Sequence, residues 1–180
     1  MKRLNPPKPL HSADLRQLAL AYVGRYATSE AKLAAYLARK VRDRGWAEAG
    51  SAGDAISALV NSLAQHRYVD DQAYADMKAN SLARRGYGPR RIRLALGAAG
   101  IAPETAAQAL EDTGSDADAL ALAYARRRRL GPFSTQPEDP RQKARATAAL
   151  LRAGHDYETV RRVLDLEQDF VHNSLGRLDI

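Results

Sequence analysis

Two segments of this 180-residue chain overlay without a gap. GIAPETAAQAL at 100–110 and GHDYETVRRVL at 154–164 share a leading Gly, a Glu-Thr step and a final Leu, with Ala109 falling on Val163. A second pair, YGPRRIRLAL at 87–96 and TSEAKLAAYL at 28–37, brings Ile92 onto Leu33 and Leu96 onto Leu37. LALAY occurs at 18–22 and again at 120–124, and YGP at 87–89 falls on LGP at 130–132. These displacements agree with one another once an 11-residue insertion is placed within 133–143, where FSTQPEDPRQK reads as a loop running into a helix start. Repetition of this kind restricts the fold to an array of similar small units. Each is too small to bury much alone and is stabilised by its neighbours.

The units are helical. Strand signals are nearly absent, while capping residues and apolar residues at i, i+3, i+4 spacing recur along the chain. Ser12 can cap a helix carrying Leu15, Leu18, Ala19 and Tyr22, and Thr28 or Ser29 a second with Leu33 and Leu37 inward. Ile56, Leu59, Val60 and Leu63 share one face of a third, and Asp70 starts a fourth that runs to Gly86. Pro89, Pro103 and Pro140 sit where a first-turn proline is tolerated, and Asp156 caps a last helix. The expected fold is all-α, three tandem three-helix repeats in an elongated, curved array. The boundaries are a flexible basic arm (1–11), repeat 1 (12–70), repeat 2 (71–115), repeat 3 (116–167) with its insertion, and a C-terminal tail (168–180).

The densest chemical feature is RRGYGPRRIRLALGAAGI at 84–101. Arg84, Arg85, Arg90, Arg91 and Arg93 surround a Gly-Tyr-Gly-Pro turn with no acidic residue between them. If Ile92, Leu96 and Ala99 face inward, Arg90 and Arg93 lie on the opposite side of the helix, with Arg91 beside it and Leu94 on the arginine side. Arg126, Arg127, Arg128 and Arg129 form a second cluster at the end of the first helix of repeat 3. Guanidinium groups pair with phosphates or, in bidentate fashion, with carboxylates. With Tyr87 and Leu94 they make the mixed cationic and apolar surface enriched at protein interfaces. A net charge of +7 likewise favours anionic partners. Nucleotide binding does not fit: Gly86-Tyr87-Gly88 lacks the Walker spacing and follows no strand.

The stretch DDQAYADMKANSLARRGYGPRRIRLALGAAGI, within 70–101, resembles the core signature of the RecX family, bacterial regulators of the RecA recombinase. The shared elements are an acidic pair, an aromatic-Ala step, Arg-Gly-Tyr-Gly and a basic helix ending in Gly-Ile. They map onto Asp70, Asp71, Tyr74, Ala75, Arg84, Arg85, Gly86, Tyr87, Gly88, Ile92, Leu96, Gly100 and Ile101. The resemblance implies a protein of DNA repair and the SOS response that lodges in the groove of the RecA filament on single-stranded DNA. There it restrains recombinase, ATPase and co-protease activities. Contact would fall to the arginines and Tyr87, with the glycines and apolar positions holding the fold. In repeat 3 the family's Arg-Gly-aromatic step is replaced by Ala153-Gly154-His155. The alternative is a sequence-nonspecific nucleic-acid-binding helical module, and weak direct DNA contact fits either reading.

Catalysis is not expected. His11, His66, His155 and His172 are scattered without metal-ligand spacing, no Ser or Thr stands at a nucleophile elbow, and the absence of Cys removes thiolate chemistry. Asp70-Asp71 reads as a helix start rather than a metal or acid–base pair. No metal or cofactor is therefore expected. The start MKRLNPPKPLHSAD lacks a signal-peptide apolar run, so a cytoplasmic location is expected, with no membrane partner. No symmetric patch is legible, which favours a monomer.

Overall fold

The computed structural model describes residues 8–135 and 139–166. Pro137, His172 and the 168–180 tail lie outside the described residues, as does the arm up to residue 7. Nine α-helices are described: α1 (Ser12–Val23), α2 (Glu30–Arg44), α3 (Ala52–Gln65), α4 (Asp71–Ala83), α5 (Pro89–Gly97), α6 (Pro103–Glu111), α7 (Ala117–Arg128), α8 (Pro140–Arg152) and α9 (Tyr157–Leu164). A 3₁₀ turn, Gly131–Phe133, precedes α8. Among the described residues the one extended pairing is a single bridge between Leu10 and Trp46. No described helix is long and apolar enough to cross a membrane.

The helices form two compact units. Among the described residues, the first comprises 8–74 together with Ala99–Ile101; the second comprises Ala75–Ala98, 102–135 and 139–166. In the first, Leu15 and Ala19 of α1, Leu33 and Leu37 of α2, and Ile56, Val60 and Leu63 of α3 close a common core. Leu10 belongs to that core and is fully buried, with its backbone bonded to the Gly45 carbonyl and the Ala47 amide. The arm expected to reach residue 11 is thus anchored at Leu10, because the apolar side chain and its two backbone partners offset the entropy of ordering it. Trp46 packs on the same core, half-buried.

The second unit builds its core from Ala121, Tyr124 and Ala125 of α7, Ala146 and Leu150 of α8, and Val160, Val163 and Leu164 of α9. Phe133, within the inserted stretch, packs against it. Asp139 and Asp156 cap α8 and α9 by accepting from the Gln142 and Thr159 amides. Local chemistry shifts two expected ends. Ser29, not Thr28, caps α2, whereas α1 begins with His11 at the cap position, its amide bonded to Asp14. Ser12 instead gives both its amide and its hydroxyl to the Glu48 carboxylate. α4 stops at Ala83 rather than Gly86, because Gly86 enters the left-handed region at φ 74° and the Gly86 and Tyr87 amides turn back to Ala83 and Leu82.

The overlaid sequence positions occupy matching structural roles. Ser29 and Gly88, superposed by the repeat, are the N-caps of α2 and α5. Within the first unit the Ser29 hydroxyl donates to the Ala99 carbonyl at 2.5 Å. Within the second, the Gly88 amide donates to the Ala153 carbonyl at 2.9 Å and the Arg90 amide to Gly154 at 3.2 Å. Ala99-Gly100 and Ala153-Gly154 are themselves superposed positions. Both glycines have positive φ, 75° and 97°, and a Cβ on either would collide with the helix start beneath it, at Ala31 and Arg91 respectively. One docking rule is used twice: the N-cap of α2 sits on the Ala99-Gly100 turn, and that of α5 on the Ala153-Gly154 turn.

Candidate functional site

The second unit holds both arginine clusters, and the turn between α4 and α5 is seated directly on α7. Gly86 makes this possible: a Cβ there would lie 2.5 Å from the Tyr124 amide nitrogen and 2.9 Å from the Leu120 carbonyl oxygen. From the other side His155 reaches the Gly86 carbonyl with its Nε2 at 3.0 Å. Glycine is thus required twice over, for its positive φ and for the close approach of two backbones.

This seating joins the two clusters. The Tyr87 ring meets the Tyr124 ring at 5.7 Å between centroids, inclined by 54°. Arg85 lies 5.2 Å from the Tyr87 ring centre and Arg128 lies 6.0 Å from that of Tyr124. The hydrogen bond of the Tyr124 hydroxyl holds the Arg128 guanidinium even more firmly protonated than usual. Tyr124 was not among the candidate contact residues. Its signal was its place four residues before Arg128, on one helical face, but only the fold brings Tyr87 to it.

The nine arginines at 84, 85, 90, 91, 93 and 126–129 are all exposed. Among the described residues none of them forms an ion pair with a carboxylate; the pairs present are His11–Glu48, Lys143–Asp165 and Arg162–Asp118. On α5, Ile92 and Leu96 are fully buried while Leu94 is 67 % exposed between the arginines. Arg129 adopts the left-handed conformation at φ 54° and ends α7, placing its charge with those of Arg126 to Arg128 at the negative end of the helix dipole. Tyr87 itself is half-buried, one side against the core and the other beneath Arg85.

The acidic pair has structural partners. Asp70 accepts from the Ala73 amide and caps α4, and Asp71 accepts from the Glu30 amide. Among the described residues no group of three metal-ligating side chains occurs. His155, fully enclosed at 1 % exposure, supports the arginine turn rather than meeting solvent.

That enclosure makes a pH prediction. Burial pushes the His155 pKa below its ordinary 6.5, with the Gly86 carbonyl and Asp156 opposing. The unfolded chain takes up this proton near pH 6.5 while the folded chain resists it. Its contribution to stability is therefore full above that pH and is lost as pH falls below it. Asp118 and Asp156, held below 3.8 by the Arg162 and Thr159 hydrogen bonds, act only at lower pH. The urea midpoint should drop between about pH 7.5 and 5.5, and His155→Gln should flatten that drop; equal slopes in both chains would refute the account.

Comparison with known proteins accords with this geometry. Residues 70–110, spanning the acidic pair, the arginine turn and α5–α6, match the family described as "RecX, second three-helix domain". The chain is 36 % identical over 166 residues to Regulatory protein RecX of Myxococcus xanthus, covering 88 % of each. It is 34 % identical over 115 residues to that of Chromohalobacter salexigens, covering 64 % of this chain and 73 % of the relative. Its fold is similar to the crystal structure of RecX from Lactobacillus salivarius, with a TM-score of 0.59 at 18 % identity, over 88 % of this chain and 97 % of that one. The likeness therefore extends well beyond the central motif, over 88 % of the chain. The chain belongs to the RecX family of regulatory proteins.

Proposed function

We propose that the chain regulates the RecA recombinase by setting the arginine–tyrosine face of its second unit into the groove of the RecA filament on single-stranded DNA. Seated there, it restrains recombinase, ATPase and co-protease activities. Family membership supports the partner. The observation that carries the contact face is the Tyr87–Tyr124 contact, which sets Arg85 and Arg128 over adjoining rings, together with the exposure of the carboxylate-free arginines of both clusters and of Leu94.

A planar guanidinium offers five donors in a fixed fork, so an arginine without an internal partner is available for bidentate contact to a carboxylate or a phosphate. Leu94 and Tyr87 add apolar area that a bare polyanion would not use but a protein groove would. Binding across moving protomers stabilises one arrangement over others, and so opposes any cycle that needs both. The chain would act as a cytoplasmic monomer in DNA repair.

Arg90→Glu with Arg93→Glu is expected to abolish inhibition of RecA-dependent ATP hydrolysis on single-stranded DNA, with helical circular dichroism unchanged. Both positions are exposed and unpaired, so the folded state loses nothing. A folded double variant that inhibits as wild type does would overturn this face. A salt titration tests the partner class: tight binding to naked single strands with a log–log slope near about −3.5, the value for five neutralised phosphates, and lost in Arg90→Glu with Arg93→Glu, would make the face a nucleic-acid site instead.

A further inference from the structure

We infer that the first unit carries a separate binding site for single-stranded nucleic acid, in which Tyr26, backed by Tyr22 and Tyr36, stacks on an unpaired base while Arg25, Arg39 and Lys40 meet the adjacent phosphates. The three rings form a short ladder. Tyr36 stacks on Tyr22 at 4.2 Å with the planes inclined by only 22°, and Tyr26 meets Tyr22 at 5.2 Å with the planes inclined by 49°. The inner two rings pack on the core of the unit, but Tyr26 is 57 % exposed. Its place is fixed by its amide, which donates to the Tyr22 carbonyl one turn back.

An open cleft of about 410 Å³ lies against this ladder, lined by Ala21, Tyr22, Arg25, Tyr26, Tyr36 and Arg39. It contains no aliphatic residue larger than alanine, so it does not suit the apolar face of a partner helix. Cations frame it: Arg39 lies 5.8 Å and Lys40 5.6 Å from the centre of the Tyr36 ring. The stretches from Leu15 to Ser29 and from Ala31 to Arg42 contain no acidic residue, the flanking acids being Asp14, Glu30 and Asp43. Rigid aromatic faces beside positive charge are the elements from which sequence-tolerant single-strand sites are made. A duplex keeps its bases stacked on one another and offers nothing for Tyr26 to stack on.

The test uses the full chain and a fluorescein-labelled oligothymidylate, read by anisotropy at low salt. Stacking on one aromatic ring corresponds to an affinity change between about 5-fold and about 150-fold. Tyr26→Ala should weaken binding within that range and Tyr26→Phe should restore it, with circular dichroism and thermal midpoint checking that both fold. Arg25→Gln with Arg39→Gln should reduce the log–log salt slope by about 1.4, roughly 0.7 for each phosphate contact. On an abasic strand of equal length, wild type and Tyr26→Ala should bind alike. No binding by wild type, wild-type affinity in Tyr26→Ala, or an equal loss on the abasic strand would each overturn the site.

Discussion

Gly86→Ala is expected to lower the unfolding free energy by about 3 kcal/mol, a sum of two costs that act together. A residue with a Cβ pays roughly 1–2 kcal/mol to adopt the left-handed conformation that Gly86 holds at φ 74°. The Cβ would also lie 2.5 Å from the Tyr124 nitrogen and 2.9 Å from the Leu120 oxygen, both in the backbone of α7. A side chain could rotate away, but a helix backbone must translate, and overpacking of this sort typically costs about 1–3 kcal/mol. The measurement is the urea midpoint at unchanged slope. Gly97→Ala supplies the control: a Cβ at Gly97 meets nothing within 4 Å, and the residue ends α5 without a positive φ. That substitution should be neutral or stabilise by up to about 1 kcal/mol. Equal stability of the two variants would show that the arginine turn is not held by contact with α7.

Much of the architecture is legible in the sequence because it is repeated. Matching Leu33 to Ile92 and Leu37 to Leu96 identifies residues that are all fully buried. The superposition of Ser29 on Gly88 identifies two N-caps. Periodicity records what each unit does internally, so it reports cores and caps well. It does not report which surface of one segment touches another far away in sequence. The arginines near 84–93 and those at 126–129 therefore read as two clusters, and only the Tyr87–Tyr124 contact makes them one. His155 shows the same limit. In the sequence it stands only as a departure from the family's Arg-Gly-aromatic step, and it is the fold that brings the Gly86 carbonyl to its ring and allows it to be buried. Tyr22 and Tyr36 stand at helical positions and read as helix-packing residues, whereas Tyr26 lies beyond the helical pattern. Tyr22 and Tyr36 do pack, and the exposed Tyr26 follows from a turn geometry after α1 that no spacing rule describes.

Helix α5 allows the fold and the contact face to be separated experimentally, because adjacent positions face opposite environments. Ile92→Ala should destabilise the chain by about 2–5 kcal/mol, the range for truncating a buried Ile to Ala, since Ile92 is fully enclosed and the space left cannot be refilled by neighbours fixed in a packed core. Leu94→Ala removes a side chain of similar size that is 67 % exposed, and should change stability by no more than about 0.5 kcal/mol. Binding should show the reverse order. At conditions where both variants are folded, Ile92→Ala leaves Arg90, Arg93 and Leu94 in place and should retain inhibition of RecA-dependent ATP hydrolysis, whereas Leu94→Ala should weaken it. Thermal or urea unfolding measures the first ranking and the ATPase assay the second. If Leu94→Ala left inhibition intact, the apolar element would drop out of the contact and the arginines alone would have to account for recognition. Their partner would then be chosen by charge, and the dependence on salt would become correspondingly steeper.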